Sequence, residues 1–121
     1  MNKSPFPKQK EIYWVYFNPK KGKEIYKLRP VLVISNNWQN KYDEQIIVAP
    51  LTSQFVKEVQ LFEVLVLPNR KNGLKEPSKV LLNRLQTIDK NLRLREYIGA
   101  IKEEIMSQVR KARERVFAEE D

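Results

Sequence analysis

The chain contains no cysteine and no histidine among its 121 residues. Without cysteine there is no disulfide and no thiolate nucleophile, and without either residue a zinc site loses its usual ligands. Nothing in the sequence asks for a metal or another cofactor. The missing histidine also removes the side chain that most often moves protons near neutral pH, so any acid–base step falls to a less common group. Long apolar runs are absent too, and none approaches the roughly 20 residues needed to cross a bilayer. The opening residues, MNKSPFPKQK, lack the apolar segment of a secretory signal. These absences imply a cytoplasmic protein with no membrane association and no transition metal.

Positive charge is what the chain has in excess: 23 Lys and Arg against 15 Asp and Glu, for a net charge of +8. Residues 1–30 carry eight basic side chains against two acids, residues 31–69 two against four, and residues 70–115 thirteen against six. Basic segments thus flank a nearly neutral apolar middle, as expected where a basic face is built on a sheet core. Nucleic acid is the polyanion that suits such a face, although Lys and Arg that merely solubilise a surface give the same totals. With 41% hydrophobic residues, the length fits one domain over 1–121 with a single core.

EIYWVYFN at 11–18 is aromatic and β-branched, hence a strand. Pro19 and Gly22 punctuate the loop that follows, which carries Lys20, Lys21, Lys23 and Lys27. The runs Pro30–Ser35 and Gln45–Leu51 do not alternate, so both read as strands buried on two faces. The polar connection SNNWQNKYDE between them has room for a short helical turn. A longer strand is expected over Val59–Leu67, then a turn at PNRKNG, then two apolar fragments, Lys79–Leu82 and Leu85–Thr87, split by Asn83 and Arg84. Asp89 and Lys90 read as a salt-bridged turn. From Ile101 the period changes: Ile101, Ile105, Val109, Ala112 and Val116 recur at helical spacing, which predicts an amphipathic helix over about 101–117. Five or so short strands followed by one helix imply a mainly β fold, a small barrel with the helix packed on it.

Two side chains stand out chemically. Arg29 and Pro30 immediately precede the apolar VLVIS. An unpaired arginine is too costly to bury, so Arg29 should emerge at the mouth of its strand. It is there either as a salt-bridged surface charge or as a group held for chemistry. Thr52 and Ser53 close the next apolar run, where they serve equally as a turn cap or as hydroxyl donors. Among the aromatics, Trp14 lies in a strand and reads as core or dimer interface. Tyr16 shares that strand, and Trp38, in a polar connection, is the better platform for stacking a base.

Five segments in this order resemble the MazF/PemK family of toxin endoribonucleases: EIYWVYFNPKKGKE at 11–24, RPVLVISNN at 29–37, IIVAPLTS at 46–53, GLKEPSKVLLN at 73–83 and QTIDK at 86–90. The resemblance implies an SH3-like barrel that pairs as a homodimer, cuts single-stranded RNA without a metal, and is held inactive by a cognate antitoxin. It implies a catalytic role for Arg29 and Thr52. It implies RNA-binding roles for Lys20, Lys21, Lys23, Lys27, Ser53, Arg84, Gln86 and Thr87. The products it implies are a 2′,3′-cyclic phosphate and a 5′-hydroxyl. The alternative is a protein of the same fold that binds RNA or a protein without cutting, like the gyrase-poisoning relatives of the fold.

Three departures bear on RNA preference and activity. Lys10-Glu11 stands where the family carries Gly-Asp or Gly-Glu. Asn83-Arg84-Leu85-Gln86-Thr87 replaces Asp-Gln-Ile-Arg-Thr, and Asn91-Leu92-Arg93 is a residue longer than usual.

Overall fold

Apolar runs that do not alternate need cover on both faces, and the fold supplies it with two cores, one of which includes a C-terminal helix. The computed structural model describes residues 5–17 and 27–120. The strands are β1 (Glu11–Phe17), β2 (Lys27–Val33), β3 (Gln45–Thr52), β4 (Glu63–Val66), β5 (Ser78–Leu81), β6 (Gln86–Asp89) and β7 (Leu94–Ala100). The helices are α1 (Asn37–Tyr42), the single turn α2 (Lys90–Arg93) and α3 (Glu103–Phe117). The sheet runs β4-β5-β3-β2-β1-β7, with β6 also paired to β3. Among the described residues no helix is long and apolar enough to cross a membrane.

Alternate residues of the central strands feed two cores. Val31 and Val33 of β2, with Ile46 and Val48 of β3, form one core with Tyr13, Val15 and Ile88. Leu32 and Ile34, with Ala49 and Leu51, form the other with Val64, Val66, Val80 and Leu82 and with Ile101, Met106, Val109 and Ala112 at and within α3. The predicted helical stripe is therefore the packing face of α3, joined by Met106, which the spacing argument passes over.

Strand β3 is bonded along both edges. On one side it pairs with β2, Val31 opposite Pro50 and Val33 opposite Val48. On the other, its C-terminal end pairs with β5, Leu51 opposite Val80, and its N-terminal half with β6, Val48 opposite Gln86. Between those two pairs the partner chain uses three more residues than β3 does. The excess is taken up by a 3₁₀ turn at Leu82–Arg84, which is the physical meaning of the Asn83-Arg84 interruption.

Several expectations are corrected. The strand expected over Val59–Leu67 shortens to Glu63–Val66. The Glu63 N–H donates to Gln60 O at 3.0 Å, and Gln60 N–H donates back to Glu63 Oε1 at 3.0 Å, a turn that removes residues 60–62 from the ladder. Strand β7 was not anticipated, because its register against β1 shifts on both sides of Tyr13, which scrambles the period-2 signal. Asp89 and Lys90 are not a salt bridge. Asp89 Oδ1 caps α2 by accepting from the N–H groups of Asn91 and Leu92 at 2.8 and 2.9 Å. Lys90 Nζ instead donates to the carbonyls of Asn40 and Lys41 at the end of α1, at 2.7 and 3.2 Å.

The Lys10 departure has a backbone consequence. Lys10 adopts φ 83°, the left-handed region that costs an ordinary side chain roughly 1–3 kcal/mol and a glycine almost nothing. Its backbone is fixed there by Lys10 N–H to Val33 O and by Ile101 N–H to Lys10 O, at 3.1 and 2.9 Å. Its ammonium pairs with Glu103 at 2.7 Å, but both side chains are well exposed, so the pair contributes little. Lys10→Gly is therefore expected to stabilise the fold by about 0.5–1 kcal/mol after glycine's own entropic cost, read as a higher denaturation midpoint. A lower midpoint would show that the Lys10 side chain outweighs the strain.

Candidate active site

Arg29 sits in β2 directly opposite Val15 of β1. On its other side the β2–β3 register, Val31 opposite Pro50, carried two residues further along each strand, brings Arg29 opposite Thr52. The two side chains share a parity on neighbouring strand ends, and both line one open cleft of about 780 Å3. Pro30 restricts the backbone next to Arg29 and lies opposite Trp14. Arg29 is exposed, and among the described residues it forms no ion pair.

Thr52 Oγ1 accepts the Gln54 N–H at 3.1 Å. That turn bond occupies an oxygen lone pair and leaves the hydroxyl proton to donate elsewhere. The cap and donor readings of Thr52 are therefore compatible: the cap orients the donor. Ser53 and Gln54 continue along the cleft wall, and Leu74, Lys75, Glu76 and Ser78 form the facing side. Tyr97 of the unanticipated β7 also lines it. Burial, helped by the charge of Glu11, raises the pKa of its phenol above 10.0, so the hydroxyl keeps its proton.

The remaining expected residues divide. Lys20, Lys21 and Lys23 lie outside the described residues, as does the side chain of Lys27, whose backbone opens β2. Arg84, Gln86 and Thr87 are exposed but do not line the cleft: Gln86 and Thr87 face Val48 and Ile47 in the N-terminal half of β3. Trp14 is 38% exposed and lines the cleft rather than joining either core, which corrects the core half of its expectation. Trp38 is 75% exposed on α1, with the Tyr42 ring tilted against it at a centroid distance of 4.8 Å, and it does not line the cleft. Of the cleft residues that sequence reasoning passed over, Lys75 and Glu76 stood in view within GLKEPS. Tyr97 had no signal because its strand had none.

Comparison with known proteins bears on the family and the fold. Residues 8–117 match the family described as PemK-like, MazF-like toxin of type II toxin-antitoxin system. The chain is 32% identical over 105 residues to Endoribonuclease EndoA of Bacillus subtilis, covering 87% of this chain and 89% of that protein. It is 30% identical over 102 residues to Endoribonuclease MazF of Staphylococcus saprophyticus, covering 84% and 83%. Its fold superposes with a TM-score of 0.74 on an endoribonuclease solved in complex with its cognate antitoxin from a mycobacterial species, at 18% identity over 95% of this chain and 98% of that one.

A buried ion pair supports the wall of the cleft from behind. Lys79, opposite Thr52 in the β3–β5 ladder, is only 5% exposed. Its ammonium donates to Glu63 Oε1 at 2.8 Å and to Glu58 O at 2.9 Å. The segment that leaves Thr52 turns back at Phe55, where φ is 54°, and is pinned to this pair through Glu58 and Gln60. For the Glu63 carboxyl, burial acts to raise the pKa. The Gln60 N–H and the hydrogen bond and charge of Lys79, with Arg84 beyond, outweigh burial and hold it below 4.5.

A depressed carboxyl stabilises the fold above its unfolded pKa and loses that contribution as pH falls through the folded one. Lys79→Met leaves the carboxylate buried without its partner, an expected loss of about 3–5 kcal/mol at pH 7. Without the ammonium the same burial favours protonated Glu63, so the stability gap to the native protein should narrow on acidification from pH 7 to pH 4. Urea denaturation at both pH values checks this, and a gap that stays constant would contradict the pairing.

Proposed function

The chain belongs to the PemK-like, MazF-like toxin family of type II toxin–antitoxin systems, and from that premise we propose that it is an endoribonuclease whose cleft holds the scissile phosphate between Arg29 and Thr52. The observation that carries this reading is the β2–β3 register carried on to the strand ends, which puts a guanidinium with no ion pair among the described residues opposite a capped hydroxyl at a single cleft.

The chemistry uses a nucleophile that the substrate brings. The 2′-oxygen of the nucleotide attacks its own 3′-phosphorus, the P–O5′ bond breaks, the 2′-hydroxyl loses a proton and the departing 5′-oxygen gains one. Products are a 2′,3′-cyclic phosphate and a 5′-hydroxyl end. Charge accumulates on the non-bridging oxygens as phosphorus becomes five-coordinate, and a preorganised cation aimed there supplies the largest stabilisation. The planar fork of Arg29 suits two such oxygens at once. Thr52 O–H donates to the same phosphate while Gln54 N–H holds its oxygen in place. Arg29 is given the role of charge stabiliser, its fixed fork aimed at the oxygens that gain negative charge. The reaction as written needs no metal, because a fixed guanidinium meets the charge that builds on the phosphate oxygens.

The substrate is single-stranded RNA, since a base splayed into an open cleft is what a strand without a partner offers. We place the protein in the cytoplasm, as a homodimer restrained by a cognate antitoxin. Large apolar side chains left exposed, among them Phe55, Leu61 and Phe117, supply contact surface for such partners. Lys20, Lys21, Lys23 and Lys27 add phosphate contacts along the strand, as do Ser53 in the cleft and the separate patch of Arg84, Gln86 and Thr87.

Arg29→Ala is expected to lower kcat/KM on a defined RNA by about 10²–10³-fold, in buffer containing EDTA, with unchanged circular dichroism and most of the RNA affinity kept. Thr52→Val should cost roughly 10²-fold by the same reasoning. Full turnover by Arg29→Ala would overturn the assignment.

A further inference from the structure

We propose that Glu76 reads one base of the RNA beside the scissile phosphate, favouring a base whose pairing edge carries an exocyclic amino group and rejecting uracil. This rests on the RNA-cleaving reading of the cleft and extends it to substrate choice.

Among the described residues lining the cleft, the charged groups are two cations, Arg29 and Lys75, and one carboxylate, Glu76. The cations account for attraction to a phosphodiester backbone. A carboxylate in the same space repels that backbone and weakens binding, so it contributes only by meeting a part of RNA that donates hydrogen bonds. Glu76 is exposed and forms no ion pair among the described residues, so its oxygens are open to a ligand.

An ionised carboxylate is an acceptor only. Adenine N6, cytosine N4 and guanine N1 with N2 present donors to it. The pairing edge of uracil presents one N–H between two carbonyl oxygens, which a carboxylate repels. Phosphates offer nothing to Glu76, and ribose hydroxyls offer the same donor on every nucleotide. The discrimination therefore falls on the base.

Selectivity of this kind needs a reader held still, and the segment carrying Glu76 is held from three sides. Asn72, 1% exposed, accepts the N–H groups of Asn69 and Leu74 through Oδ1 at 3.1 and 2.9 Å and donates from Nδ2 to Leu67 O at 2.9 Å. Gly73, at φ 67°, lies so close to β7 that a Cβ there would sit 2.2 Å from Ile98 O. Ser78 Oγ donates to the Glu76 carbonyl at 3.1 Å. The backbone of Glu76 is thus preorganised against the cleft, and only its side chain adjusts to the base. Trp14, exposed on the same cleft, offers a ring face on which that base can lie.

The test is cleavage of a randomised single-stranded RNA pool by the full chain and by Glu76→Ala and Glu76→Gln, with cut sites mapped by sequencing the 5′-hydroxyl ends. The native protein is expected to disfavour uracil by roughly tenfold or more at one position flanking the cut. Glu76→Ala should restore uracil there to near its frequency in the pool and leave the other positions as they were. Glu76→Gln should fall between, because its amide oxygen still accepts and its NH₂ now suits uracil O4. An unchanged cut-site pattern in Glu76→Ala overturns the inference, as does a native protein that accepts uracil at every flanking position. Loss of all cutting in Glu76→Ala also overturns it, since a reader of one base is not needed for chemistry. A native protein that cuts no RNA at all overturns the endoribonuclease reading itself, which separates the two failures.

Discussion

Everything at the proposed site depends on β3 being hydrogen-bonded along both edges. Its pairing with β2 sets the register that brings Arg29 opposite Thr52. Its pairing with β5 sets Lys79 opposite the same threonine on the other side. A slip of one residue in either ladder would turn every side chain of the slipped strand to the other face. Burial of Val48 on one side and Ala49 and Leu51 on the other makes such a slip costly. The site is therefore a by-product of core packing: the same alternation that fills two cores leaves the strand ends with one arginine and one threonine to share a cleft. The Leu82–Arg84 turn lets one partner chain serve both halves of β3, which is why an interruption that looks like a defect in the sequence is compatible with a continuous sheet.

The chain uses positive charge in two opposite ways within one strand pair. Lys79 is buried, and its ammonium is bonded to Glu63 and to the Glu58 carbonyl, which ties down the segment that follows Thr52. Arg29 is exposed and without an ion pair among the described residues, which costs nothing in water and leaves a field available to an anion. Had the two been exchanged, the cleft would hold a compact ammonium opposite Thr52 in place of the planar fork that suits two phosphate oxygens. A positive total alone does not distinguish these uses; burial and partners do.

Much of this was legible in the sequence where a physical signal was local. The strands over residues 11–17 and 45–52 followed from their β-branched and aromatic content, and α3 from a stripe of apolar side chains four or so apart. The pairing of Arg29 with Thr52 was readable only as a resemblance, because a register is a relation between strands and no window of sequence contains it. Strand β7 was hidden by shifts of register against β1, and the shortened β4 by a turn whose anchor, Lys79, lies sixteen residues beyond Glu63. The exposure of Trp14 was hidden for a related reason. Strand alternation gives the face of a residue but not where along that face the core ends, and at Trp14 the core gives way to the cleft. Asp89 and Lys90 look like a pair by charge, yet capping of α2 and the open carbonyls of α1 each offered a better partner.

The account's central claim is that one phosphate is held by Arg29 and Thr52 together. A crystal structure of the protein with a single-stranded RNA carrying a 2′-deoxy nucleotide at the cut site tests it most directly, because removing the nucleophile stops the reaction without removing the phosphate. The account predicts that the phosphate following that nucleotide lies within hydrogen-bonding distance of both the Arg29 guanidinium and Thr52 Oγ1. A strand whose uncut phosphate rests against Arg84, Gln86 and Thr87 instead, with the cleft empty, would contradict it.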